Sequence, residues 1–264
     1  MTEMLKFERP PVHEVTLALM FETLPKLQAL DLAELRVDWR NDYPILQEST
    51  PLPAWQESEQ EAVEFVQSGL SWPMGLCSLS TESGDRKIRF QQDRFSLRWY
   101  FGGPNETYPG YDSLKAELLD KFGQFAKLSQ AVTGEFPAVK RADVTYTNRL
   151  PGISSHQAMA GVLSDWKSES SFPFRVPDYC GFRVHYRQSE IDDRVSVLIG
   201  VDSAAPEPAD LDFIEGSTLL IDAESQVEAN EDFSLRMNKA HDVVTGAFLE
   251  MTNRSMRTEW GQIK

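Results

Sequence analysis

The stretch PPVHEVTLALMF, residues 10–21, decides how this chain folds. Pro10 and Pro11 keep a helix from entering it. Behind them Val12, Glu14, Thr16, Ala18 and Met20 fall on one side of an extended chain, and His13, Val15, Leu17, Leu19 and Phe21 on the other. The second set is almost wholly apolar, so the alternation predicts a strand laying Val15, Leu17, Leu19 and Phe21 onto a core. VKRADVTYTNRL, residues 139–150, alternates in the same way, with Ala142, Val144 and Tyr146 opposed to Asp143, Thr145 and Thr147.

The segments that follow each of these strands come in a similar order. After the first, Leu27, Leu30, Leu35 and Trp39 recur at near-helical spacing, which predicts an amphipathic helix over 25–40 opened by Pro25. Pro44, Pro51 and Pro53 make 44–55 an edge strand or a wandering connection, and QESEQEAVEFVQS (56–68) reads as a short helix. Strand patterns follow at 76–80 and in KIRFQQDRFSLRWYF (87–101), where Gln92 and Asp93 form a tight turn between two hairpin strands. A loop at 102–111 then leads to a helix capped by Asp112 or Ser113, with Leu114, Leu118, Phe122 and Phe125 in one stripe.

In the second half, Ser154 or Ser155 opens a helix carrying Met159, Val162, Leu163 and Trp166. Strands are expected near 179–186, 194–201 and 216–223, and AAPEPAD (204–210) reads as a surface loop. A long helix spans 231–252 on Phe233, Met237, Ala240, Val244, Ala247, Phe248 and Met251. The pattern predicts an α+β protein of two like halves, 1–133 and 134–264. Each has the order strand, helix, antiparallel strands, long helix, with the long helices on one face of a curved sheet. That order is similar to the β-α-β4-α repeat of the TATA-binding-protein architecture, an analogy of fold that carries no function with it.

Composition sets outer limits. A chain of 264 residues can bury about three quarters of the surface its unfolded form exposes, so no disulfide or metal staple is required. Cys77 and Cys180 stand outside any CxxC pattern and read as reduced thiols. The N-terminal MTEMLKFERPP lacks a signal-peptide pattern, and no segment approaches the ~20 apolar residues of a membrane span. A cytoplasmic protein is expected, with no membrane contact. The net charge is −15, and residues 190–232 hold thirteen acids against one base, Arg194. Such a surface repels phosphate backbones, so direct nucleic-acid binding is not expected. It is either a solvated self-repelling face or a dock for a basic protein partner.

Five motifs resemble one family: the opening PPVHEV (10–15), QQDRFSLRW (91–99), YP (108–109), VTYTNRL (144–150) and the terminal WG (260–261). It is a sporadically distributed prokaryotic family of similar length without an assigned activity. A patchy distribution implies genes carried in mobile defence or toxin–antitoxin loci.

No catalytic constellation stands out. His13, His156, His185 and His241 are scattered, without HExxH, HxH or GxSxG, so neither a catalytic set nor a metal site is expected, and no cofactor is implied. The candidate contacts are Arg94, Arg98 and Tyr100, in line on one face of the 94–100 strand, together with Glu14, the one acid inside the opening strand. Two arginines and a tyrosine suit a carboxylate-bearing partner, or equally cross-strand pairing with the chain's own acids. Trp260 reads as an anchor for the tail. The preferred expectation is a non-catalytic binding protein that engages a protein partner through its acidic surface. The alternative is an enzyme or small-molecule sensor using a pocket on the sheet concavity. A homo-oligomer is compatible with both.

Overall fold

The computed structural model describes residues 6–7, 10–55, 74–101, 107–155, 181–188, 192–203, 216–252 and 254–263. The helices expected over 56–68 and around Met159–Trp166, the 204–210 insert, His156 and Cys180 lie outside those residues. In chain order the elements are β1 (Lys6–Phe7), β2 (Val12–Phe21), a 3-10 turn (Ala29–Leu32) running into α1 (Ala33–Asp38), β3 (Ile45–Ser49), β4 (Leu76–Ser80), β5 (Arg86–Gln91) and β6 (Arg94–Tyr100). Then come α2 (Tyr111–Thr133), β7 (Val139–Pro151), β8 (Gly181–Tyr186), β9 (Val195–Ser203), β10 (Gly216–Gln226), α3 (Phe233–Met251), α4 (Arg254–Glu259) and β11 (Gln262–Ile263). This is a mixed α+β chain with a large antiparallel sheet of nine strands, hydrogen-bonded in the order β3-β4-β5-β6-β2-β7-β10-β9-β8; β1 pairs with β11 separately. Two compact units divide it: residues 16–143 with 226–236 (the first unit), and residues 1–15 with 144–225 and 237–264 (the second).

In the first unit the odd residues of β2 are buried, as their alternation requires, and Phe21 meets Phe122 and Phe125 of α2 at 6.0 and 5.8 Å between ring centroids. Phe95 lies at the middle of this aromatic group, 5.3 Å from Phe125 and 5.6 Å from Phe122, with Phe90 stacked at 6.2 Å and Trp39 edge-on at 6.4 Å. Offset and edge-to-face rings add about 0.5–1.5 kcal/mol per pair beyond the area they bury. Around this core, Trp39 donates its indole N–H to Gln124 Oε1 at 2.6 Å. The Tyr43 hydroxyl donates to Glu117, which also receives Arg86 at 2.9 Å. Burial, and then that bond to a carboxylate, push the Tyr43 phenol above its usual range.

Two elements differ from their expected form. Residues 25–40 do not make one helix: a 3-10 turn and the six-residue α1 take its place. The reason lies in Gln92, whose carbonyl accepts from Leu24 N–H at 2.9 Å and whose side-chain amide donates to the Leu27 carbonyl at 2.9 Å. A continuous helix would need the Leu27 carbonyl for its own ladder. Leu30 falls out of the apolar stripe and is 88% exposed, while Leu32 takes the inward position. α2 is capped at Gly110 rather than at Asp112 or Ser113, because Gly110 at φ 88° turns the chain into the helix at Tyr111. Asp112 sits instead in the first turn, where the helix dipole favours an acid.

In the second unit β8, β9 and β10 form antiparallel ladders, with Val184 opposite Ile199 and Leu219 opposite Val201. Val144, Tyr146, Leu150, Val195, Val197, Ile199, Val201, Leu219, Ile221 and Ala223 are buried, and from Met237 onward α3 buries Met237, Ala240, Val243, Val244 and Phe248. At the chain ends Phe7 meets Phe248 and Trp260 edge-on at 6.0 and 6.2 Å, and Phe248 lies 5.7 Å from Trp260. Trp260 is thus buried and fastens the tail. Gly216 needs to be glycine for space: a Cβ there would stand 2.8 Å from the Leu150 carbonyl oxygen.

Phe95→Ala is expected to cost about 3–5 kcal/mol, the sum of lost transfer energy and an unfilled space among four rings. Leu30→Ala should change stability by no more than about 0.5 kcal/mol. Urea unfolding of both variants checks the pair, and an equal loss in both would contradict the packing described.

Candidate functional site

The site is built from the β5–β6 hairpin. Its ladder pairs Gln91 with Arg94, Arg89 with Ser96 and Lys87 with Arg98, and β4 places Ser78 opposite Arg89 and Ser80 opposite Lys87. Residues directly opposite share a face of the sheet. Ile88, Phe90, Phe95, Leu97 and Trp99 are buried in the core, so Lys87, Arg89, Arg94, Ser96, Arg98 and Tyr100 stand half-buried on the other face.

The hairpin turn itself is buried. Gln92 and Asp93 are 8% and 2% exposed, and neither has a positive φ, which excludes both primed turn types that two-residue hairpins favour. Contacts made by the turn offset that disadvantage. The Asp93 carbonyl accepts from Phe21 N–H at 3.0 Å, and its carboxylate accepts from Trp55 N–H at 2.6 Å. Arg94 closes a fork on the same carboxylate, Nε to Oδ1 at 2.9 Å and Nη2 to Oδ2 at 3.0 Å, and also reaches the Pro53 carbonyl at 2.5 Å. Gln91 completes the clamp by exchanging two bonds with Leu52, at 2.8 and 3.0 Å. Residues 51–55 are therefore held along the hairpin by side chains, not by a ladder. Arg141 stands over the Trp55 ring at 5.5 Å and donates to Asp143 at 2.9 Å.

Of the four residues singled out by sequence, Arg94, Arg98 and Tyr100 share one face of β6, and the Arg98 guanidinium lies 4.2 Å over the Tyr100 ring. Glu14 is half-buried on β2 in the second unit. Arg94 has Asp93 as its carboxylate partner. Lys87 and Arg89 stand on this same face although no motif marks them, and Asp93 does more than form the turn expected of it. The alternation of β5 carries the signal for the first two: Lys87, Arg89 and Gln91 fall opposite Ile88 and Phe90. Burial, and then the neighbouring Arg98 guanidinium, lower the proton affinity of Arg89 below the arginine norm. Such a face can hold oxyanions by charge-assisted hydrogen bonds.

Elsewhere the chemistry is muted. Among the described residues no group of three His, Cys, Asp or Glu side chains is placed to hold a metal ion, and no helix is long and apolar enough to cross a membrane. His241 packs by its ring 6.0 Å from Tyr146. Cys77 is buried, and desolvation followed by the nearby Glu48 push its thiol up to about 11.

Asp93→Ala is expected to cost about 3 kcal/mol, because it leaves the Arg94 charge unpaired at a mostly buried site, and to release Trp55, seen as a shift in tryptophan emission. Cys77 should resist iodoacetamide at pH 8 in the folded protein and react once urea unfolds it, read by peptide mass mapping. The folded thiol holds its proton more tightly than the unfolded one. Its contribution to stability is therefore complete below about pH 9 and lost as the pH rises towards about 11. Cys77→Ala should flatten that part of the alkaline slope in urea midpoints.

No family model and no curated protein sequence matches the chain. Among solved structures it is similar to the di-domain ARO/CYC StfQ from the steffimycin biosynthetic pathway, at 9% identity over 93% of this chain and 98% of that one, with a TM-score of 0.20. A likeness of that depth carries no argument about either fold or activity.

Proposed function

We propose that the chain is a non-catalytic cytoplasmic binding protein that engages a basic protein partner through acidic side chains on the sheet of the second unit. The carrying observation is the alternation of β9 and β10. Val197, Ile199 and Val201, with Leu219, Ile221 and Ala223, fill the core, while Asp202, Asp222 and Glu224 stand on the opposite face. Thr145 donates to Asp222 at 2.8 Å and Arg183 lies 3.9 Å from Asp202, so these carboxylates are held in place on strands rather than on loops. Acids fixed on a rigid sheet steer a basic partner and set its orientation more than they add affinity.

The scaffold reading that accompanies this proposal is a duplicated one, with halves 1–133 and 134–264 in the β-α-β4-α order. The matching roles of α2 and α3, each a long helix closing a run of antiparallel strands, support it. The setting in a mobile defence or toxin–antitoxin locus rests on the motif resemblance alone.

Expressed together with the genes that flank its own, the tagged chain should co-purify with one product at fixed stoichiometry. The complex should weaken as salt is raised from 50 to 500 mM. Asp202→Asn with Glu224→Gln should weaken it several-fold, at about 0.5 kcal/mol per half-buried surface pair. A complex indifferent to salt and to both substitutions, or a chain that always elutes without a partner, counts against the proposal.

A further inference from the structure

On the half-buried face of β5 and β6, three further cations stand on the same side of the sheet as Arg94. Lys87 and Arg98 are directly opposite, Arg89 is one two-residue step along β5 from Lys87, and Ser96 and Ser78 flank Arg89 on either side. Adjacent strands stand about 4.8 Å apart and a two-residue step spans about 6.7 Å, so the three charged side chains leave three corners of a small rectangle. Like charges directly opposite on a sheet are destabilising, and half-burying them adds to the cost. The fold shows how it neutralises an arginine that serves structure: Arg94, on the same face, is forked onto Asp93. Among the described residues no carboxylate does the same for Lys87 or Arg89.

We propose that this face of the first unit binds a small polyanion bearing two or more phosphate or carboxylate groups. Lys87, Arg89 and Arg98 supply the charge, and the Ser78 and Ser96 hydroxyls supply neutral hydrogen bonds. Arg89 is the centre of the site: Lys87 lies one step along its strand, Arg98 stands diagonally across from it, and a serine hydroxyl flanks it on each side. The ligand is small because of the chain's net charge of −15. Screening over about 8 Å protects a compact anion from that charge, but a long polyanion would have to lie against it. The site is independent of the acidic face proposed above as a partner dock.

The test is isothermal titration of the whole chain at low ionic strength with sodium pyrophosphate and, separately, with citrate. Sodium chloride matched for ionic strength serves as the control. Saturable binding of either anion is expected, with a rise in melting temperature that sodium chloride does not reproduce; the anion that binds more tightly assigns phosphate or carboxylate as the preferred group. Lys87→Gln with Arg89→Gln should weaken binding at least tenfold while circular dichroism stays that of the parent. Ser96→Asp, which sets an acid opposite Arg89, should also weaken binding at least tenfold and melt at or above the parent temperature, so loss of binding cannot be put down to unfolding. No saturable binding of either anion, a thermal shift that chloride reproduces, or unchanged affinity in Ser96→Asp would overturn the site.

Discussion

A buried hairpin turn constrains the first unit. Hairpin tips usually point to solvent, where their backbone groups find water. Here Gln92 and Asp93 lie under the chain, and their polar groups are distributed among Phe21, Leu24, Leu27 and Trp55. Each of those segments is captured at the end of a regular element or between elements: β2 ends at Phe21, Leu24 and Leu27 precede the 3-10 turn, and the 51–55 connection lies along Gln91 and Arg94. A buried donor or acceptor left unpaired costs about 1–3 kcal/mol, so two residues with this many satisfied groups hold several segments in register at once. The carboxylate of Asp93 is the most exacting of these groups. Taking it out of water is tolerable only because Arg94 and an amide N–H meet it together.

That constraint explains what could be read from the sequence and what could not. Strands β2, β5, β6 and β7 and helices α2 and α3 carry long apolar stripes of a single period, and for them the period alone locates the core. Phe95, Phe122 and Phe125 are on such stripes and meet where the stripes predict. The failures fall where a distant residue captures backbone. Residues 25–40 have helical periodicity, but Gln92, more than fifty positions away, takes the Leu27 carbonyl, and Leu30 is left outside. Nothing local to Leu27 announces this. The tail behaves in the opposite way: Trp260 is a large aromatic near a chain end, and only burial against Phe7 and Phe248 accounts for its placement there.

The candidate face was half legible for a related reason. Alternation in β6 sets Arg94, Arg98 and Tyr100 in line, and it is a property of one strand. Recognising Lys87 and Arg89 as their neighbours needs the register of β5 against β6, which the turn fixes. Sequence also treats the arginines as equivalent, whereas the ladder separates them. Arg94 is adjacent to the turn and belongs to its carboxylate; Arg98 is two steps further on, over the Tyr100 ring.

Net charge therefore says little about any one face. A chain at −15 attracts cations at long range, yet at separations below the screening length of about 8 Å a ligand senses the side chains nearest to it. In the first unit those on the β5–β6 face are Lys87, Arg89 and Arg98; in the second, those on the β9–β10 face are Asp202, Asp222 and Glu224. Both sets ride on strands whose alternate residues are locked in a core, so the face each set occupies is fixed by the ladder. A sheet that fixes charge in this way gives each face its own sign, and the buried turn that sets the register of β5 and β6 also decides that Arg94 is the arginine forked onto Asp93.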